Sequence, residues 1–147
     1  MACYDKGMDL ARVIRGFVPT SDVADPNVVF DRCLPIALEF MAYAARCGVP
    51  STLVEVAGYD GDLSRCHPKW RGVPGGSVIH YLVRVEDEYV DWTRRQFDLL
   101  APVPVVCTDL VADGWSRSYE IDRDDAPGWI RDALSALPPG LGLSLSD

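Results

Sequence analysis

The sequence has 147 residues, of which 48% are hydrophobic and 24% are charged, and this balance is typical of a globular domain. Its formal net charge of −8 argues against a nucleic-acid partner, because binding to phosphates depends on a basic surface. No apolar run reaches the ~20 residues of a membrane span, and the first residues lack the apolar core of a signal peptide. We therefore predict a cytoplasmic protein with no membrane partner, and export by a signal-free route stays open.

Two helices are predicted in the first third of the chain. Residues 8–17 carry apolar side chains at helical spacing, and the polar residues 19–26 predict a loop. A stronger pattern covers residues 31–47, where apolar side chains recur at i, i+3, i+4 and i+7: Cys33, Ile36, Ala37, Phe40, Met41 and Ala44. We expect Asp31 to cap this helix at its start and Gly48 to end it.

The rest of the chain predicts mainly strands. Residues 51–57 are β-branched and partly alternating, and residues 58–76 form a long loop of a length that is often functional. Residues 78–85 and 89–93 predict a hairpin around the acidic run 86–88. Three short segments complete the order, namely edge strands at 102–107 and 118–121 and a closing helix at 126–137.

This order of elements predicts an α+β fold. Successive strands joined by tight turns imply an antiparallel sheet, and the helix that begins near Cys33 packs against it. We expect one domain over residues 1–137 and a flexible tail at residues 138–147. Neither the oligomeric state nor the biological partner can be inferred from the sequence.

The five cysteines predict free thiols more than a disulfide framework. Their number is odd, their spacing is irregular, and the domain is large enough to fold without disulfides. A zinc site is not expected, because the chain has no CxxC pair and its two histidines, His67 and His80, lie in separate contexts. We expect no metal and no organic cofactor.

Cys33 is the candidate nucleophile. It lies in the first turn of the strongest predicted helix, where the helix dipole and the unpaired N–H groups stabilise a thiolate and can hold an oxyanion. His80, at the front of the first hairpin strand, is the candidate general base and acid. Asp91, on the return strand, can orient the imidazole and stabilise its charged form.

The register of the hairpin decides whether this triad forms. A turn at Glu86-Asp87 pairs residue 85 with residue 88 and makes His80 and Asp91 diagonal neighbours on one face of the sheet. A turn at Asp87-Glu88 instead moves Asp91 opposite Arg84 and separates it from His80. The sequence leaves both registers open. Asp91 can also be a structural carboxylate paired with Arg84 or Arg94.

The stretch from His80 through Asp91-Trp-Thr93, with Cys33 upstream at a helix start, resembles the transglutaminase-like branch of the papain-like thiol enzymes. The resemblance covers about residues 30–97. It implies that Cys33 is the nucleophile, His80 the general base and acid, and Asp91 the orienting carboxylate. It also implies a protein or peptide substrate and a peptidase, amidase, glutamine deamidase or transglutaminase reaction.

Two features depart from that family. Leu34 follows the nucleophile where family members often have an aromatic residue, and the only glutamine, Gln96, lies downstream of Cys33 rather than upstream. The oxyanion hole would therefore rely on backbone N–H groups or on another donor. Trp92 and Gln96 flank the predicted site and are candidates for substrate binding, although a structural strand end explains them equally well.

Other interpretations remain beside this one. Cys66-His67 is a rival dyad, but adjacent residues rarely face one another, and we expect His67 at the surface. We expect Cys47, at a helix C-terminus, to lie in the core. The whole protein can also be a non-catalytic acidic binding protein, of the immunity or adaptor type, that retains the fold and binds a basic partner.

Overall fold

The computed structural model describes residues 6–121 and 128–135. Four helices and five strands lie in these two ranges. The helices are α1 (Lys6–Gly16), α2 (Pro26–Val29), α3 (Cys33–Arg46) and α4 (Gly128–Ser135). The strands are β1 (Thr52–Tyr59), β2 (Ile79–Val85), β3 (Glu88–Asp91), β4 (Val105–Cys107) and β5 (Trp115–Glu120). The predicted tail at residues 138–147 lies outside the described residues.

The five strands form one antiparallel sheet in the order β4-β3-β2-β1-β5. The α+β class and the antiparallel sheet predicted from the sequence are therefore confirmed. Helix α3 packs on one face of this sheet, mainly over β2 and β1. Its Phe40 and Met41 are completely buried in the same core as Leu53 and Val83. Residues at alternate positions of each strand build this core, because side chains alternate between the two faces.

The opposite face of the sheet has a second, aromatic core. Val56 of β1 packs there with Phe97 and Trp115, which are each no more than 1% exposed. The long connection between β1 and β2 covers part of this face. It is not structureless, because it contains short 3₁₀ turns at Leu63–Arg65, Pro68–Trp70 and Gly75–Ser77. Both faces of the central strands are therefore buried.

The hairpin of β2 and β3 adopts the first of the two registers considered above. Val85 pairs with Glu88 and Val83 pairs with Val90, so the two-residue turn is Glu86-Asp87. Continuation of this register places residue 82 opposite Asp91. The even-numbered residues of β2 and the odd-numbered residues of β3 consequently share the face that carries the aromatic core.

The start of α3 differs from the prediction. The N-cap is Arg32, which makes no side-chain capping bond, and Asp31 has a φ of 60° and is not the cap. The reason is the unpredicted helix α2, which ends only a few residues earlier and is too short to show a helical apolar period. The chain turns sharply from α2 into α3, and Asp31 takes the left-handed conformation in that turn. Gly48, with a φ of 79°, ends α3 as predicted.

One further boundary and one burial prediction also differ from the structure. Strand β5 begins at Trp115, three residues before the predicted start, and it continues the sheet beyond β1. Cys47 is exposed, so the prediction that it lies in the core was wrong. It is the C-cap residue of α3, immediately after the last helical residue.

Candidate active site

Cys33 is the first residue of α3, and its side chain is half-buried against the helix-side core. The first helical hydrogen bond runs from the Ile36 N–H to the Arg32 carbonyl at 3.1 Å. The N–H groups of Cys33 and Leu34 therefore have no acceptor within the helix, and Pro35 has no N–H. Two backbone donors thus lie beside the thiol, at the positive end of the helix dipole. They are suited to bind a negative charge that develops next to the sulfur.

His80 is completely buried and forms a direct pair with Asp91. Its Nε2 lies 2.9 Å from Asp91 Oδ1. The imidazole stacks on Trp115, at 5.4 Å between ring centroids and 16° between ring planes, and Phe97 meets it edge-on at 4.9 Å. The ring orientation is therefore fixed by aromatic contacts on its surfaces and by a carboxylate at one nitrogen.

The other ring nitrogen of His80, Nδ1, has no hydrogen-bond partner among the described residues. The Cys33 thiol is nevertheless close enough to His80 to stabilise the charged imidazole. A contact of this kind is often long in the absence of substrate and shortens in the complex. Nδ1 is therefore the ring nitrogen that is left to exchange a proton with the nearby thiol.

The electrostatic surroundings favour a protonated His80. Burial opposes the charge, but the Asp91 carboxylate outweighs this effect and, with a smaller contribution from Cys33, raises the pKa of His80 to about 9. Burial also opposes the charge of Asp91, yet the positive charges of His80 and Arg94 hold the pKa of Asp91 well below its usual range. The stable state at neutral pH is therefore an imidazolium–carboxylate pair.

Arg94 holds the second oxygen of Asp91. Its Nε donates to Asp91 Oδ2 at 2.9 Å, and the Thr93 N–H donates to Oδ1 at 3.0 Å. The rest of the guanidinium pairs with Asp113 and lies over the ring of Trp115, 5.7 Å from its centroid. Asp91 thus pairs with His80 and with Arg94 at the same time, so the two roles considered for it in the sequence are compatible.

Trp92 and Gln96, the predicted substrate-binding residues, are both in the interior. Trp92 packs between Phe17 and Phe40, with ring centroids 5.0 and 5.5 Å away, and it also lines a narrow cavity beside Cys33. The Gln96 amide accepts a hydrogen bond from Trp70 Nε1 at 3.2 Å. Gln96 is only 1% exposed. Their contact with substrate stays a prediction.

In the rival pair Cys66-His67, the histidine makes contacts that hold the fold together. His67 is only 8% exposed, so the prediction that it lies at the surface was wrong. Its Nδ1 accepts from the Lys69 N–H at 3.1 Å, which leaves Nε2 to donate to Asn27 Oδ1 at 3.0 Å. The ring also stacks on Phe30 at 4.6 Å. Both ring nitrogens of His67 are therefore hydrogen-bonded, and the bond to Asn27 connects the β1–β2 connection to α2.

Cys107 is another possible nucleophile, and its pKa decides whether it can act as one. Burial, with a smaller contribution from the nearby Asp113 carboxylate, raises the pKa of the Cys107 thiol to about 11. This thiol therefore stays protonated at neutral pH and is a poor nucleophile.

Sequence reasoning missed the part that Asp113 plays in this site. Asp113 lies 19 residues after its partner Arg94 and in a turn before β5, and no spacing rule links two such positions. From the sequence, Arg94 is a candidate only as a partner of Asp91, whereas in the structure it is buried, at 6% exposure. A buried arginine needs two acceptors, and this is the only signal that could have suggested the second carboxylate.

Residues 6–121 and 128–135 contain no group of three or more side chains that could hold a metal ion. Within the same ranges no helix has the length and apolar character needed to cross a membrane. Comparisons with known protein families, with curated proteins and with solved structures find no match for this chain.

Proposed function

We propose that this protein is a papain-like, transglutaminase-like thiol enzyme that acts on an amide or related acyl group. The observation that carries the proposal is the buried His80–Asp91 pair at 2.9 Å, with the second imidazole nitrogen unpaired and Cys33 close by. A nucleophile, a base and an orienting carboxylate are the three parts of such a site.

In the proposed reaction, the Cys33 sulfur attacks the carbonyl carbon as a thiolate, with its proton on His80. A C–S bond forms, and the negative charge on the carbonyl oxygen is held by the N–H groups of Cys33 and Leu34. The C–N bond then breaks as His80 gives its proton to the leaving amine. Water then attacks the thioester carbon while His80 accepts a proton from that water, the C–S bond breaks, and the carboxylic acid leaves with the Cys33 thiolate and the protonated His80 restored.

The acceptor decides the name of the reaction. Water gives a peptidase, an amidase or a glutamine deamidase, and an amine gives a transglutaminase. The substrate we expect is a protein or peptide, and the mechanism requires neither metal nor organic cofactor.

The proposal is tested by the iodoacetamide labelling rate of each cysteine, followed by mass spectrometry, in the wild type and in His80→Gln. Cys47 is an internal control, because it is exposed whereas Cys33 is half-buried. Exposure alone predicts that Cys47 reacts faster. An activated Cys33 reverses that order at pH 7 and loses its advantage in His80→Gln. If Cys33 reacts no faster than Cys47, the proposal fails.

A second candidate is a non-catalytic acidic binding protein that retains the fold. The net charge of −8 and the narrowness of the cavity beside Cys33 favour it. Under this hypothesis a basic partner binds equally well to the wild type and to Cys33→Ala, and no thiol has exceptional reactivity. The labelling experiment therefore separates the two candidates.

A further inference from the structure

A pocket of about 150 Å³ lies on the sheet between β1 and β5, lined by Glu55, Ala57, Arg117, Ser118 and Tyr119. Glu55 lies two residues after Leu53 on β1, so the two side chains point to the same face of the sheet. Leu53 packs under α3, and the Glu55 side chain is therefore also on the α3 side. The pocket therefore lies on the α3 side of the sheet, between β1 and β5.

The polar centre of this pocket is the Glu55 carboxylate. In the sheet, Glu55 is paired with Tyr81 on one side and with Tyr119 on the other. The Tyr81 hydroxyl donates to Glu55 Oε1 at 2.9 Å. Burial, and after it the Glu55 carboxylate, raises the pKa of Tyr81. For Tyr119 the carboxylate is the larger cause and burial the smaller one, and its pKa is also raised. Both phenols are therefore neutral donors, and the carboxylate keeps acceptor sites for a further group.

Tyr81 connects this pocket to Cys33. Tyr81 lines the narrow cavity beside the thiol, together with Leu82 and Trp92. The Tyr81 hydroxyl holds Glu55. Tyr81 is thus shared by the cavity beside the candidate nucleophile and by the acidic pocket, so neighbouring residues of a bound peptide can occupy both.

We propose that the Glu55 pocket is a substrate subsite that selects a basic group, a primary amine on a short aliphatic chain, next to the acyl group transferred to Cys33. This inference rests on the proposed function and names its substrate class. Glu55 supplies the opposite charge, Ala57 offers apolar surface to the chain, and the half-exposed ring of Tyr119 can face the cation. Arg117 is the one cation on the rim, and its guanidinium donates to the Gly76 carbonyl at 3.3 Å.

Two chloroacetamide probes of equal length test this subsite. One is the amide of 1,5-diaminopentane, which ends in an ammonium, and the other is the amide of hexylamine, which is neutral. The second-order rate of labelling at Cys33 is measured for both by mass spectrometry at pH 7. The variants are Glu55→Gln, which retains an acceptor for Tyr81, and Asp87→Asn, which removes one charge from the distant hairpin turn and serves as the matched control.

The expected result is a preference of about fivefold for the cationic probe in the wild type, the factor typical of one partly screened ion pair. The preference persists in Asp87→Asn and disappears in Glu55→Gln, whose rate with the neutral probe is unchanged. Equal rates with both probes, or a preference that survives in Glu55→Gln, overturn the subsite. His80-dependent labelling by the neutral probe would then still support the proposed function, whereas an unreactive Cys33 overturns both.

Discussion

His80 and Asp91 occupy diagonal positions on adjacent antiparallel strands, and their side chains meet at 2.9 Å on the aromatic face of the sheet. The two-residue turn at Glu86-Asp87 is the cause of this contact. A turn one residue later, at Asp87-Glu88, would place Asp91 opposite Arg84 and too far along the strands to reach His80. The position of the turn therefore determines whether the imidazole has a carboxylate partner.

The first prediction concerns Asp91→Asn. This change removes the negative charge between the buried groups of His80 and Arg94, so we expect a loss of about 3 kcal/mol in the free energy of unfolding. Iodoacetamide labelling of Cys33 should also slow, because His80 no longer has a carboxylate that stabilises the imidazolium. Urea unfolding and mass spectrometry measure the two effects. A variant with unchanged stability would contradict the assignment of Asp91 as a buried counterion.

The second prediction concerns pH. The pKa of His80 is raised from 6.5 to about 9 in the folded protein, so its contribution to stability is complete below about pH 6.5 and is lost as the pH rises through about 9. The loss is on the order of 3 kcal/mol. Urea unfolding at pH 6, 7.5, 9 and 10 measures this loss as the difference between the wild type and His80→Gln. Other groups titrate alike in both proteins, so their contributions cancel in that difference. Parallel stability curves would show that His80 is not protonated in the fold.

The third prediction uses His67 as the counterpart of His80. His67 makes two hydrogen bonds and one ring stack, all of them structural, so His67→Gln should cost about 1 kcal/mol in the free energy of unfolding. The labelling rate of Cys33 should not change, in contrast to His80→Gln. A slower Cys33 in a fully folded His67→Gln would place the rival histidine in the reactive site.

The fourth prediction tests the turn before the nucleophile. Asp31 has a φ of 60°, a conformation that is unfavourable for a residue with a Cβ atom. We expect Asp31→Gly to raise the free energy of unfolding by about 0.5 kcal/mol, because relief of strain exceeds the added entropy of the unfolded chain. Thermal and urea unfolding measure the change. If Asp31 were the N-cap of α3, the same substitution would destabilise the protein slightly.

The sequence predicted the elements that carry a long, regular pattern. Helix α3 has an apolar stripe over three turns and a glycine stop, and the hairpin has two alternating segments around an acidic turn. These signals depend on residues close together in the chain, so they brought Cys33, His80 and Asp91 forward as candidates. Helix α2 and the 3₁₀ turns of the β1–β2 connection are too short to produce a period, and they were missed for that reason.

By itself, therefore, the sequence determined the α+β class, the helix that carries Cys33 in its first turn and the pairing of two strands that carry a histidine and an aspartate. Only the tertiary structure decided the hairpin register, the burial of His80 between Trp115 and Phe97, and the bridge from Asp91 through Arg94 to a second carboxylate. The physical reason is that local patterns report which face of an element is apolar. The contacts that orient the imidazole join segments tens of residues apart, and these contacts exist only once both faces of the sheet are packed.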